Sequence, residues 1–176
     1  MRRSFELSHY RRANVWLDEA PPAEFTATSV VTRHVRPEMV VDASRRIAGV
    51  EIYIPYGPRA SYGLLGADLV EADVDGLEIV VSVNMVGLPF QSSLTSMSDE
   101  VKVGLLDEYA SAVIGGAVRV VEAVGAPTKA TLRFHWAAHG FVGSSQSVFE
   151  KASAMVLHLL MLPKDASDDQ IRALFG

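Results

Sequence analysis

Apolar and polar residues along the chain follow two periods, one typical of strands and one typical of helices. Apolar residues alternate with polar ones in residues 50–54, 61–85 and 129–136, which is the pattern of half-buried strands. They recur every three or four residues from Val101 to Ala123 and from Val148 to Leu160, as on one face of a helix. The order of strands, long helix, strand and helix predicts an α+β fold, a mostly antiparallel β-sheet with two helices packed on one face.

Turn residues divide the first half of the chain into shorter elements. Residues 25–36 are rich in β-branched types and predict a strand that ends before Pro37. The stretch that follows, up to Gly49, predicts a short helix with Pro37 in its first turn and Gly49 just past its end. The pair Asp75-Gly76 lies between two alternating runs and predicts a tight β-hairpin, because both positions accept positive φ.

Cap residues mark the ends of the later helices. Ser98 is expected to be the N-cap of the long helix, which Gly125 and Pro127 then end. The spacing of Ser167 and Gln170 predicts a capping box for a short final helix.

The first 22 residues are predicted to be an N-terminal arm or edge element, followed by a single α+β domain over residues 23–176. The arginine pairs of the arm alternate with Phe5, Tyr10 and Trp16 without a clean period. Aromatic residues in a short arm of an apolar-rich chain favour contacts between copies. We therefore expect a homo-oligomer.

Composition excludes several classes of site. The chain of 176 residues is 49% hydrophobic and 21% charged, so it is expected to be an ordinary globular protein. It has no cysteine, which excludes disulfides and thiolate metal sites. No apolar run in the sequence has the length of a membrane span, and the first residues lack the apolar run of a signal peptide. We therefore expect a soluble, cytoplasmic protein with no membrane partner.

The net charge of −5 is unevenly distributed. Residues 1–46 hold eight arginines and six acidic residues, which leaves +2. Residues 47–176 hold eight basic and fifteen acidic residues, which leaves −7. Polyanions bind clustered Lys and Arg, so only the first part of the chain offers a surface for them. The candidate nucleic-acid residues are Arg2, Arg3, Arg11 and Arg12.

The stretch "AAHGFVGSSQSVFEKAS", residues 137–153, is the most suggestive of chemistry. Its "GSSQS" lacks the second glycine of a G-x-S-x-G nucleophile turn, and the chain has no Rossmann or Walker glycine pattern, so we predict no catalytic residue and no cofactor. His135 and His139 have the spacing of a zinc pair, but no Glu follows His135, so we predict no metal. Ser144 and Ser145 are better explained as helix caps, with an anion cradle at the helix start as the alternative.

The C-terminal half resembles a known domain in the order of its elements and in its helix residues. The long helix matches the motif E-Y-x-x-A-V-x-x-G, and the second helix matches V-D-S-S-x-x-x-x-F-x-x-A-x-S with one position missing. Over about residues 60–160 the sequence therefore resembles domain IV of translation elongation factor G. It departs from that family at Gly143, where the family has aspartate, and in the turn "WAAHG". The matching residues are Glu108, Tyr109, Ala112, Val113 and Gly116, then Val142, Ser144, Ser145, Phe149, Ala152 and Ser153.

The resemblance implies both a fold and a role. The fold has the left-handed βαβ crossover shared with small-molecule kinases of the GHMP type. The role is that of a stand-alone, non-catalytic binding or accessory domain connected with translation, with the ribosome or RNA as its partner. The residues themselves leave a second interpretation open, a small-molecule-binding protein or enzyme that uses a His/Arg-lined groove beside the 144–160 helix. The candidate ligand-binding residues are Arg133, His135, His139, Ser144 and Ser145.

Overall fold

The computed structural model describes residues 1–95 and 97–176, and its strands form one sheet. Within these residues, none of the helices is long and apolar enough to cross a membrane. The strands of the described chain are β1 (Arg2–Glu6), β2 (Arg12–Leu17), β3 (Ser29–Val35), β4 (Ile47–Tyr56), β5 (Arg59–Glu71), β6 (Leu77–Val83), β7 (Val101–Val103) and β8 (Ala130–Gly140). Its α-helices are α1 (Asp107–Val124), α2 (Gln146–Met161) and α3 (Asp168–Arg172).

The strands lie in the order β1-β2-β4-β5-β8-β6-β3, and β7 pairs with the far end of β8. Every neighbouring pair is antiparallel except β6 and β8, which are parallel. A parallel pair needs a crossover connection, and α1 lies between β6 and β8 along the chain. The mostly antiparallel α+β fold predicted from the order of elements is confirmed.

Most of the core lies between one face of the sheet and the two long helices, as predicted. Leu65, Leu132 and Phe134 from the central strands pack there with Phe149 of α2. Neighbouring residues in a strand point to opposite faces, so Leu64 lies on the other side of the sheet from Leu65. A smaller cluster covers that second face: Trp16, Ala23, Tyr62, Leu64, Phe90, Val101 and Ala138.

Residues 1–22, predicted to be an arm or edge element, form β1 and β2 of this sheet. β2 pairs with β4, and β1 lies at the sheet edge. Phe5 and Trp16 are each only 3% exposed. These two aromatic side chains, on which the expectation of a homo-oligomer partly rests, are therefore buried within one chain.

The β-hairpin predicted around Asp75-Gly76 is wrong. β8 lies between β5 and β6, so the two alternating runs are not neighbours in the sheet. Of the two turn positions only Gly76 has the expected positive φ, 84°, and a Cβ there would overlap the carbonyl oxygen of Val35, whereas Asp75 does not have a positive φ. β8 takes the central place between them because its apolar residues, such as Leu132 and Phe134, are there fully buried under the helices. Alternation predicts strands but not their partners.

The short helix predicted over residues 37–49 is also wrong. Residues 37–46 contain bends and an isolated β-bridge at Val40 in place of a helix, and the N–H of Val41 donates to the carbonyl oxygen of Ala126 at 3.1 Å. Gly49 lies inside β4, where a Cβ would be 2.9 Å from Cγ of Pro21. Gly49 therefore allows the close approach of a loop and does not end a helix.

The predicted helix ends are confirmed at three places and wrong at a fourth. Gly125 ends α1 with φ 88°, and the side chain of Ser145 caps α2. Ser167 and Gln170 form the predicted capping box of α3. Ser98 does not cap the long helix, because the chain first adds β7 to the sheet and α1 begins only at Asp107.

β8 contains one extra residue, His135, relative to β5. Ala67 pairs with Phe134, and Gly66 pairs with Trp136, so the register shifts at this point. A β-bulge of this kind reverses the faces of the residues that follow it. Phe134 therefore packs under the helices, whereas Trp136, which was predicted to share that face, lies in the smaller cluster on the other side.

Gly104, between β7 and α1, is expected not to tolerate a side chain. Gly104 has φ 118°, and a Cβ there would overlap Oδ1 of Asn84, which accepts the N–H of Leu105 at 3.0 Å. We expect Gly104→Ala to lower the free energy of unfolding by more than about 2 kcal/mol, measured by urea unfolding with circular dichroism. Gly115→Ala on α1 is the control, because open space surrounds its Cβ position. It should raise that free energy by about 0.5–1 kcal/mol, and equal stability of the two variants would contradict the requirement for glycine at 104.

Candidate functional site

The parallel strands β6 and β8 run towards the same end of the sheet, and a cavity lies there. The cavity is bounded by the loop after β6, by β7, by the start of α1 and by the turn after β8, and its volume is about 400 Å³. Its apolar walls are formed by Met85, Val86, Leu106 and Phe141. We call it the end cavity. Its volume suits a small ligand or a single large side chain.

His139 lines the end cavity and is only 8% exposed. Its Nδ1 lies 2.8 Å from the carbonyl oxygen of Gly104. A carbonyl oxygen can only accept, so Nδ1 carries the proton, and in the neutral ring Nε2 carries the lone pair. Among the described residues, no group makes a hydrogen bond to Nε2. The backbone thus orients the imidazole and leaves an acceptor atom for the cavity.

Charged and polar groups surround the mouth of the end cavity. Glu100 and Glu108 are exposed carboxylates, and Nζ of Lys102 lies 3.6 Å from Glu100. The hydroxyl of Tyr109 donates to the carbonyl oxygen of Ser144 at 3.4 Å. Burial, and then the charge of Glu108, raise the pKa of Tyr109, which keeps this hydroxyl protonated. The mouth therefore carries more negative than positive charge.

Large apolar side chains are exposed around the end cavity. They come from the loop after β6 and from the turn after β8, and three of them, Met85, Val86 and Phe141, line the cavity itself. Apolar side chains exposed together beside a cavity mark interaction sites. We call them the apolar rim: Met85 (70% exposed), Val86 (86%), Leu88 (78%), Phe141 (86%) and Val142 (61%).

A second polar group lies on the sheet face away from α1 and α2. Asp68 on β5 accepts a hydrogen bond from Nε of Arg133 at 2.8 Å and another from the same guanidinium. Nε2 of His135 lies 3.4 Å from the same carboxylate, and the His135 ring lies 3.8 Å from the ring of Trp136. Burial raises the pKa of Asp68, but hydrogen bonds from His135 and Arg133 outweigh burial and lower that pKa to about 2.

The structure places the predicted ligand-binding residues in two separate environments. Arg133 and His135 meet at Asp68 on the outer face, whereas His139, which follows the bulge, lies beside the start of α1. Ser145 acts as the cap of α2. In the described part of the chain, no group of three or more His, Asp or Glu residues is placed to hold a metal ion.

The anion cradle considered at the start of α2 is filled by the chain itself. The N–H groups of Val142 and Gly143 donate to the carboxylate of Asp99, at 3.0 and 2.8 Å. The hydroxyl of Ser144 donates to the carbonyl oxygen of Tyr62 at 2.7 Å. Two donors of the predicted cradle, the N–H of Gly143 and the hydroxyl of Ser144, are therefore used in holding the turn after β8.

The four arginines predicted to contact nucleic acid also have partners within the chain. Arg3 and Arg11 donate to residues in the segment 166–176 at 2.8–3.1 Å. Arg2 and Arg12 lie over aromatic rings, at 5.7 and 4.5 Å from the ring centroids. These contacts tie β1 and β2 to the rest of the fold.

A buried carboxylate that no sequence motif indicates holds the loop before β7 against the sheet. Glu51 accepts hydrogen bonds from Nδ2 of Asn14 at 2.6 Å, from the Tyr62 hydroxyl at 2.9 Å and from the N–H of Leu94 at 2.8 Å. Burial, and then the charge of Glu51, raise the pKa of Tyr62, so its hydroxyl stays a donor. Glu51 is only 1% exposed, so this network is structural.

Asp68 is expected to make stability depend on acid. Its pKa falls from 3.8 to about 2 on folding, so its contribution is complete above pH 4 and is lost as the pH falls from about 4 to 2. We expect Asp68→Asn to lower the free energy of unfolding by about 2 kcal/mol at pH 7 and by almost nothing at pH 2, measured by urea unfolding across this range. Asp73→Asn, at an exposed loop position, should leave stability unchanged at both pH values. A pH-independent loss in Asp68→Asn would contradict the ionic role.

Two residues that shape these sites carry no sequence motif. Asp68 is one polar position among several in β5, and only its register opposite Arg133 reveals its role. Gly104 lies in the left-handed region before α1, where a lone glycine is a weak signal.

Neither a family model nor a curated protein matches this sequence.

Proposed function

We propose that this chain is a non-catalytic binding domain that docks a segment of a partner protein at the end of the sheet where β6 and β8 finish. The observation that carries the proposal is the apolar rim around the end cavity. Protein interfaces combine an apolar centre with a polar edge, and here the apolar rim would be the centre and the charged mouth the edge.

The charges beside the apolar rim indicate the chemistry of the partner. Glu100, Asp107 and Glu108 are exposed, and Lys102 is the cation at the mouth of the cavity. Opposite charges across an interface guide association and exclude wrong partners. The segment that fits is therefore apolar along one side and carries Lys or Arg beside it.

The placement of the polar groups supports binding over catalysis. A nucleophile needs a base within hydrogen-bond reach, and among the described residues no hydroxyl makes a hydrogen bond to Nε2, the basic nitrogen of His139. Arg133 and His135 are paired with Asp68 on the other face. The small-molecule enzyme considered from the sequence would need these groups in one groove.

The resemblance to domain IV of elongation factor G makes an accessory role in translation part of this proposal. In such a role the apolar rim suits a basic protein segment better than an rRNA backbone, because the mouth of the end cavity carries more carboxylates than cations. The partners of Arg2, Arg3, Arg11 and Arg12 within the chain point in the same direction.

The sequence also predicts a homo-oligomer, and one edge strand of the sheet is suited to contacts between two copies. β1 is covered at its edge by the segment 166–176, whereas β3 is a seven-residue edge strand in which Val31 and Val35 pack partly against the core and the other five residues are exposed. Open edges of β-branched residues pair with further strands. Antiparallel pairing of two β3 strands centred on Thr32 would set Thr32 opposite Thr32 and Arg33 opposite Val31, which avoids like charges in direct opposition.

The docking proposal is tested with short synthetic peptides of leucine and lysine, read by fluorescence anisotropy. We expect the leucine–lysine peptide to bind about tenfold more tightly than its leucine–glutamate counterpart, because the mouth of the end cavity is acidic. Phe141→Ser and Val86→Ser should each weaken binding about fivefold or more, since both remove exposed apolar area. Val30→Ser, which removes a side chain that is 56% exposed on β3, is the matched control and should bind as the native chain does. Equal losses in all three variants would refute docking at the apolar rim.

The self-association proposal is tested by light scattering over a range of micromolar concentrations. We expect the native chain to form dimers and Thr32→Lys to be monomeric, because the substitution sets two ammonium groups opposite each other at the centre of the paired strands. Thr128→Lys, at an exposed loop position, is the control and should stay dimeric. A native chain that is monomeric throughout would overturn pairing through β3.

A further inference from the structure

His139 is a buried polar residue whose hydrogen bonding is half complete. It is 8% exposed, its Nδ1–H donates to the carbonyl oxygen of Gly104, and it lines the end cavity. Across residues 1–95 and 97–176 no group donates to Nε2. Nε2 is not one of the fully buried atoms that lack a partner, so solvent reaches it, and a ligand that covers it must supply a donor in place of water, which an apolar ligand cannot do.

The walls of the end cavity select the rest of the ligand. Met85, Val86, Leu106 and Phe141 offer apolar surface on several sides, and a thioether and an aromatic ring both pack well against a ring system. The volume of about 400 Å³ accommodates one or two fused rings. The ligand is therefore expected to be flat, apolar over most of its surface and polar at one edge.

The charges at the mouth of the end cavity exclude an anionic ligand, and Nε2 of His139 excludes a purely aliphatic one. An anion would face the carboxylates of Glu100 and Glu108 at the mouth and the lone pair of Nε2 inside. An aliphatic side chain would cover Nε2 and leave it without a donor. An aromatic ring with a single O–H or N–H at its edge satisfies both the walls and the imidazole.

We infer that the end cavity binds the side chain of a tryptophan or tyrosine from the docked segment, with its N–H or O–H donating to Nε2 of His139. The identity of the partner as a protein segment rests on the proposed function, whereas the ring-and-donor chemistry rests on the cavity itself. Tryptophan and tyrosine are also the residues that most often anchor protein interfaces. His139 would then determine specificity for the anchor residue without taking part in a reaction.

The experiment compares indole with 1-methylindole, which differs by one methyl group and lacks the N–H donor. Binding is followed by NMR of the native chain labelled with ¹⁵N at histidine, at a pH where imidazole is neutral. We expect indole to bind about fivefold or more tightly than 1-methylindole and to shift the Nε2 resonance of His139. A purely apolar cavity would bind 1-methylindole at least as tightly, because that ligand has the larger apolar surface.

A variant supplies the second readout. His139→Phe keeps a ring of similar size and removes the acceptor, so it should bind the two ligands with equal affinity. If this variant fails to fold, the Nε2 resonance of the native chain still decides the question. Equal affinities in the native chain, an unchanged Nε2 resonance, or no binding of indole would each overturn the inference.

The outcomes also separate this inference from the docking proposal. Binding of the leucine–lysine peptide without selective binding of indole would overturn the aromatic anchor and leave docking at the apolar rim in place. Selective binding of indole without binding of that peptide would support the cavity chemistry and refute the docking of a basic apolar segment.

Discussion

The extra residue at His135 in β8 is the constraint on which both polar sites depend. Without it, strict alternation from Phe134 would turn Trp136 under the helices and His139 to the outer face. With it, Trp136 fills the smaller cluster, and His139 reaches the cavity at the start of α1. Arg133, which precedes the bulge, stays on the outer face with Asp68. One inserted residue thus assigns two histidines of the same strand to two different environments.

The side chain of Asn84 connects the two backbone segments that form one side of the end cavity. Asn84 is 4% exposed, its Oδ1 accepts the N–H of Leu105 at 3.0 Å, and its Nδ2 donates to the carbonyl oxygen of Val86 at 2.8 Å. It therefore holds the loop after β6 to the chain just before α1. Gly104, which lies against Asn84, supplies the carbonyl oxygen that orients His139. The apolar rim is thus presented on an anchored loop, and a preorganised surface loses less entropy on binding.

Local patterns in the sequence predict local structure here, and the errors all involve residues distant in the chain. The periods of α1 and α2 and the caps at Gly125, Ser145 and Ser167 follow from contacts within a few residues. The hairpin prediction fails because β8, more than fifty residues later, supplies a better buried partner for both strands. The helix prediction over 37–49 fails because distant residues hold this segment: Val41 donates to the carbonyl oxygen of Ala126, and Gly49 lies against Pro21.

The candidate site likewise combines one residue that the sequence indicates with neighbours that only long-range contacts bring to it. His139 stands out in the sequence because packing of α2 does not explain it, and the structure places it in a cavity. Its neighbours there, Glu100, Lys102 and the loop after β6, come together only through β7 and the parallel pairing of β6 with β8. The groove expected to join Arg133, His135 and His139 assumed unbroken alternation, which the bulge removes.

Two carboxylates elsewhere in the described chain bind its own backbone, and His139 differs from them in how it uses its polar atoms. Glu51 and Asp99 are both near the loop before β7, and both use their oxygens to accept N–H groups of nearby loops. A carboxylate engaged in this way stabilises a loop and has little capacity left to bind a ligand or move a proton. His139 binds the backbone with one nitrogen only. Since a ligand that covers the second nitrogen must replace water with a donor of its own, this nitrogen makes the end cavity selective in a way that the apolar rim alone is not.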